Sequence, residues 1–140
     1  LLRGVSIPSV APPRPAVMTP DGRRVVADGR ERDVPLRLYV DSVRQKLERN
    51  AVLGGARLSL REVRIDPLVS LSLRSDGSID DVIILRSSGR PDMDDAVRRF
   101  VRLNARYSAF PPNVAARFDV IEIRRVWAFA DGLKLMEEMR

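Results

Sequence analysis

Few residues in this chain have types and spacing that could do chemistry. Asp92, Asp94 and Asp95 crowd into four positions, a grouping that can hold a metal or share a proton. They follow Pro91, however, where a helix starts, and acids there answer the positive end of the helix dipole. Asp80 and Asp81 are neighbours on a predicted strand, so they point to opposite faces and cannot act as a dyad. Asp76-Gly77 has no glycine-rich run leading into a helix, and is a turn rather than a phosphate loop. Ser87-Ser88-Gly89 lacks the spacing of a nucleophile elbow. The 140 residues contain no histidine and no cysteine. That removes thiol nucleophiles, Ser-His-Asp triads, disulfides and the usual zinc sites. The expectation is therefore no enzyme: no catalytic residue, no cofactor and no metal, and a role carried by a surface or a sheet edge.

Composition bounds the rest. Hydrophobic residues make up 44% and charged residues 31%, ordinary values for a folded domain with one modest core. Net charge is +6, and nearly all of the basic residues are arginine; lysine occurs only at Lys46 and Lys134. Such a balance permits polyanion binding, so a basic nucleic-acid-binding domain stands as an alternative of another class. The basic residues do not interleave with exposed aromatics, and no nucleic acid is expected as the partner. No apolar run approaches the ~20 residues of a spanning helix. The opening Leu1-Leu2-Arg3-Gly4 reads as that of a fragment or a processed form.

The elements follow from periodicity. Residues 1–35 hold six of the ten prolines and read as a linker or arm. Within it Val5-Ser6-Ile7 and Arg23-Arg24-Val25-Val26 each have the makings of a short strand. From Leu36 the spacing of Tyr39, Val40, Val43 and Leu47 predicts a helix with one apolar stripe. Residues 57–66 alternate with a one-residue shift, as a bulged strand would. Leu68–Arg74 alternates cleanly, Ser75-Asp76-Gly77-Ser78 supplies a hairpin turn, and Ile79–Leu85 returns as the paired strand. Met93, Ala96, Val97, Phe100 and Val101 fit the best helix, Pro91–Asn104. Phe110-Pro111-Pro112 ends it, and Asp119–Phe129 is a long last strand. On that strand Ile121, Ile123, Trp127 and Phe129 share a face with one discordant member, Arg125. Residues 134–140 are a tail that adds a helical turn or frays.

The fold class expected is α+β: a two-layer sandwich, with a three-stranded antiparallel sheet, one main helix across it and a preceding N-terminal helix. Val69, Leu71, Leu73, Val97, Phe100, Ile121, Ile123 and Trp127 are the expected core.

The ordered set Asp76-Gly77, Val82, Ile84-Leu85, Ser87-Ser88-Gly89, Met93-Asp94, Ala96 and Phe110-Pro111-Pro112 resembles the TonB C-terminal domain family. The resemblance spans about residues 36–130. Two features depart from it. The Tyr-Pro pair before the first strand is absent, and Tyr39-Val40-Asp41-Ser42-Val43-Arg44 opens a helix more like that of the related TolA C-terminal domain. The aromatic pair late in the main helix is also missing. The resemblance implies a periplasmic domain, residues 36–133, on a proline-rich arm, tethered to the inner membrane by a helix not present in this chain. Its implied partners are an outer-membrane TonB-dependent transporter, gripped at its TonB box by strand addition, and an ExbB/ExbD-type complex that pulls on the anchor. A TolA-like envelope protein is the alternative, and a homodimer is left open.

The residues expected to bind the partner strand are those of the last strand: Val120, Ile121, Glu122, Ile123, Arg124, Arg125, Val126, Trp127 and Ala128. As an edge strand it would offer unpaired backbone groups to an extended peptide. Glu122, Arg124 and Arg125 would guard it against nonspecific pairing.

Overall fold

The computed structural model describes residues 23–53, 65–130 and 132–138. The elements run β1 (Arg24–Ala27), α1 (Val34–Leu53), β2 (Leu68–Arg74), β3 (Ile79–Arg86), α2 (Pro91–Leu103), α3 (Pro112–Ala115), β4 (Val120–Ala128) and β5 (Lys134–Met136). The strands form one sheet in the order β1-β4-β2-β3, with β5 also paired to β4.

The apolar stripes meet in a single core, which makes the two layers. Val40 and Leu47 from α1 and Val97 and Phe100 from α2 pack with Val69, Leu71 and Leu73 of β2 and Ile121, Ile123 and Trp127 of β4. Phe100 and Trp127 meet edge to face, 6.1 Å between centroids. All eight residues expected in the core are buried.

Local chemistry explains the element ends. Asp33 caps α1, its carboxylate accepting the Leu36 N–H at 3.1 Å. At α2 the proline takes the first position, and Asp94 does more than answer a dipole. It is buried and accepts from the Ser88 N–H (3.0 Å), the Ser88 hydroxyl (2.8 Å) and the Ser87 hydroxyl (2.5 Å). The Ser-Ser-Gly loop is thus tied to the first turn of the helix. At the hairpin, Gly77 has φ +87°, and a Cβ there would lie 2.0 Å from the Tyr107 carbonyl oxygen. Only glycine fits.

Three expectations are corrected. The sheet is five-stranded and mixed, not three-stranded and antiparallel: β1 pairs with β4 in parallel, and β5 pairs with β4 antiparallel. The antiparallel part expected, β3-β2-β4, is present as its centre. Second, ordered structure begins before residue 36: the Arg23–Val26 segment contributes β1, and α1 starts at Val34. Third, Lys134–Met136 is a strand rather than a helical turn. The reason is the same for both short strands. They carry no periodic signal of their own and gain their ladder from β4, about a hundred residues away for β1. The Val5–Ile7 strand and most of the bulged strand expected over 57–66 fall outside the described residues.

Candidate functional site

β4 is the hub of the sheet, not its edge. On one side it pairs with the whole of β2, from Arg74↔Val120 to Leu68↔Val126. On the other side two short strands lie end to end. β1 covers Val120 to Ile123, and β5 covers Val126 to Ala128. Between them Arg124 and Arg125 have no strand partner on that side among the described residues. The expectation that β4 is an open edge is therefore overturned, because the chain folds its own two segments onto it.

The side chains of β4 divide by face. Ile121, Ile123 and Trp127 enter the core. Val120, Glu122, Arg124 and Val126 point to the opposite face. There Glu122, 7% exposed, accepts from the Ser70 hydroxyl at 2.9 Å, from Arg124 Nε at 2.6 Å and from Arg24 Nη2 at 3.1 Å. Burial by itself would push the Glu122 pKa up. The hydrogen bonds from Arg124, Ser70 and Arg24 outweigh it and bring the carboxyl below the 4.5 of a free glutamate. Glu122 is thus a buried acceptor for β1 and β2, not an exposed guard.

Arg125, the discordant residue on the core face, explains itself in the same way. It is 5% exposed and donates to the Ala27 carbonyl at 3.0 Å and to the Arg124 carbonyl at 2.8 Å. The Glu31 carboxylate lies 3.8 Å from it, its side chain also buried, with one oxygen that accepts no hydrogen bond. Burial lowers the Arg125 pKa, and Glu31 works against that. The guanidinium fastens the last residue of β1.

β1 is held mostly by charge. Arg24 donates to the Ser72 hydroxyl (2.7 Å) and to Glu122, and lies 3.7 Å from Asp80. Arg23 pairs with Asp119 at 2.6 Å and donates to the Ala116 carbonyl at 2.6 Å. The Asp119 N–H completes the start of the ladder on the Arg23 carbonyl. The hydrogen bonds that the Arg23 guanidinium donates to the Asp119 carboxylate draw it below its usual range. Apolar burial is slight: Ala27 is fully buried, Val25 partly, and Val26 is exposed. By contrast, six of the seven β2 residues are buried.

Sequence reasoning missed Arg23, Arg24, Ala27, Glu31, Ser70 and Ser72. One signal pointed to them. An arginine on a core face needs a buried acceptor, and the segment with short-strand character at Arg23–Val26 leads to it.

No cluster of His, Cys, Asp or Glu able to hold a metal ion occurs among the described residues. No described helix is long and apolar enough to cross a membrane.

Residues 67–126 match the family described as Gram-negative bacterial TonB protein C-terminal. No curated protein and no solved structure matches the chain. The matched segment holds β2, β3, α2, α3 and β4 as far as Val126; β1, α1 and β5 lie outside it. Such domains are non-enzymatic protein-interaction modules, periplasmic in general, that engage outer-membrane transporters. A three-stranded sheet with a helix across it, tied together by the Asp-Gly turn and the Ser-Ser-Gly loop, is what the match covers, and this part of the chain belongs to the TonB C-terminal domain family.

Proposed function

We propose that this chain is the periplasmic partner-binding domain of a TonB-type energy transducer. It takes the TonB box of an outer-membrane transporter as an added strand along β4, residues Val120–Ala128. An inner-membrane anchor ahead of the domain links it to a proton-driven ExbB/ExbD-type complex, and the pull passes through the domain to the transporter for substrate uptake.

The family match over 67–126 carries this reading. The geometry of β4 supports it: one side is paired to β2 from Val120 to Val126, while the other is filled by short strands of four and three residues. A main-chain ladder of that length gives an extended peptide affinity with little demand on its side chains, and a ladder well bonded on its far side resists a pull. The helix α1 ahead of the sheet favours a second reading, a TolA-like envelope protein that adds a strand from a partner other than a transporter.

The test is a titration of the full chain with an extended peptide from the N-terminus of an outer-membrane transporter, followed by NMR. Amide shifts are expected over 120–128. Shifts confined to the Arg98–Arg106 surface would reject strand addition and promote the polyanion reading.

A further inference from the structure

We propose that β1 is a built-in stand-in for the partner strand, and that the partner enters by parallel exchange with it, carrying a basic, an apolar, a free and a small residue in succession. The inference rests on the strand-addition reading and adds to it the regulation of the site and the chemistry of its occupant.

Three observations carry it. First, β1 occupies the slot. It lies parallel to β4 in the register Arg24↔Val120, Val25↔Ile121, Val26↔Glu122 and Ala27↔Ile123. It also lies outside the segment that matches the family, within which β4 has only β2 beside it. Second, β1 is held by groups that water and salt can replace. Arg23 and Asp119 are both more than 40% exposed, and Glu31 keeps an unsatisfied oxygen beside Arg125. Opposing its release are four ladder positions, Arg24 bonded to Glu122 and Ser72, and one fully buried alanine whose carbonyl accepts from Arg125. Third, the other edge is closed to a strand. β3 has register shifts near both ends, and the Asp81 carboxylate accepts the main-chain N–H of Val82 at 2.8 Å.

The occupant's chemistry follows from what β1 meets. At the Arg24 position the slot offers Glu122, Ser72 and Asp80, which call for a cation. At the Val25 position it offers the core edge beside Ile121, which calls for an apolar side chain. The Val26 position faces solvent. The Ala27 position is closed, with Arg125 bonded to its carbonyl, and admits only a small side chain.

The chain has no cysteine, so a double variant, V26C/E122C, gives one disulfide that ties β1 to its β4 partner. The probe is a synthetic peptide with the sequence of residues 22–29. Both forms lack Glu122 alike, so the comparison between them isolates the tie: exchange predicts that the peptide binds the reduced form, with shifts over Val120–Ile123 and through Ser72 and Asp80 alone at its cation, and binds the oxidised form at least tenfold more weakly. It also predicts that R24A chain binds the peptide at least tenfold more tightly than unaltered chain does, because the tethered competitor is weakened. A peptide with alanine at the Arg24 position should bind R24A chain at least tenfold more weakly than the parent peptide. Equal binding to oxidised and reduced forms, with shifts still on β4, would overturn exchange while leaving strand addition intact; shifts on β3 instead would overturn both. Binding to none of these forms would overturn exchange, and the titration with the transporter peptide would decide strand addition by itself. Should V26C/E122C fail to fold, hydrogen exchange in the unaltered chain decides: β1 amides should exchange at least tenfold faster than those of β2, and equal protection would overturn the inference.

Discussion

The two outer sides of this sheet are finished in opposite ways. β3 is eight residues long and has no strand beyond it among the described residues. Its protection is intrinsic: two register shifts, Asp81 turned onto the Val82 N–H, and Asp80 paired with Arg74 at 3.0 Å. β4 has no such devices. Its ladder toward the core is regular, and its outer side is covered by segments borrowed from either end of the described chain. One side is kept from pairing by irregularity, the other is regular and kept from pairing by a cover, as the proposed exchange requires. The covering strand is short and held largely by charge, and it gives the core only Ala27 and the partly buried Val25.

That contrast can be broken at several depths. The largest effect is expected in the core, on which both sides depend. Phe100→Ala removes the ring packed against Trp127 and should cost about 3–5 kcal/mol in denaturant unfolding. β1 and β3 should lose protection together in that variant. If β3 alone loosened, the single-core account would be wrong.

Next comes removal of the cover. Trimming to Leu36 deletes β1 and also the Asp33 cap of α1. The cap alone is worth about 1 kcal/mol. The melting temperature should therefore fall, in contrast to the trim-tolerant linker that the prolines of residues 1–35 suggest. An unchanged melting temperature would mean that β1 adds nothing to stability.

A smaller and more selective effect is expected from acid. The Glu122 carboxyl titrates lower in the folded chain than in the unfolded one, because Arg124, Ser70 and Arg24 stabilise its charged form against burial. Its contribution is complete above about 4.5 and is lost as pH falls through the lower folded value. Asp119, held low by Arg23, behaves in the same sense. Hydrogen exchange as pH is lowered, corrected for intrinsic rates, should show β1 opening before β3. Glu122→Gln should remove most of that pH dependence; a pH response unaffected by the substitution would place its source elsewhere.

The smallest effect on stability is expected on the other side. Asp81→Ala frees the Val82 N–H and removes a charge beside exposed Ile83 and Leu85. Folding stability should change by less than about 1 kcal/mol. Concentration-dependent association should nonetheless appear in analytical ultracentrifugation. A variant that stays monomeric would show that Asp81 is not what keeps β3 closed.

The parts legible in the sequence are those built from local pattern. Leu68–Arg74 alternates, Asp76-Gly77 turns, and Met93, Val97, Phe100 and Val101 repeat at helical spacing. Each of these elements is long enough to carry a period, and each stands near its expected bounds. β1 and β5 were not legible as parts of the sheet, because four and three residues hold no period and their pairing is decided by β4. β4 was readable as the long last strand, but its place inside the sheet was not. Arg125 bore the one trace of the difference. A charged residue on a core face signals a buried acceptor, and here the acceptors are the Ala27 carbonyl and Glu31 of the segment that covers the edge.

The central claim is that β4 receives the partner strand at the place β1 holds at rest. It is tested most directly by hydrogen exchange of the full chain with and without a peptide from the N-terminus of an outer-membrane transporter. The account predicts that saturating peptide abolishes protection across Arg24–Ala27 while β4 amides stay protected or gain protection. Protection of β1 left unchanged, with new protection along Ile79–Arg86, would contradict it.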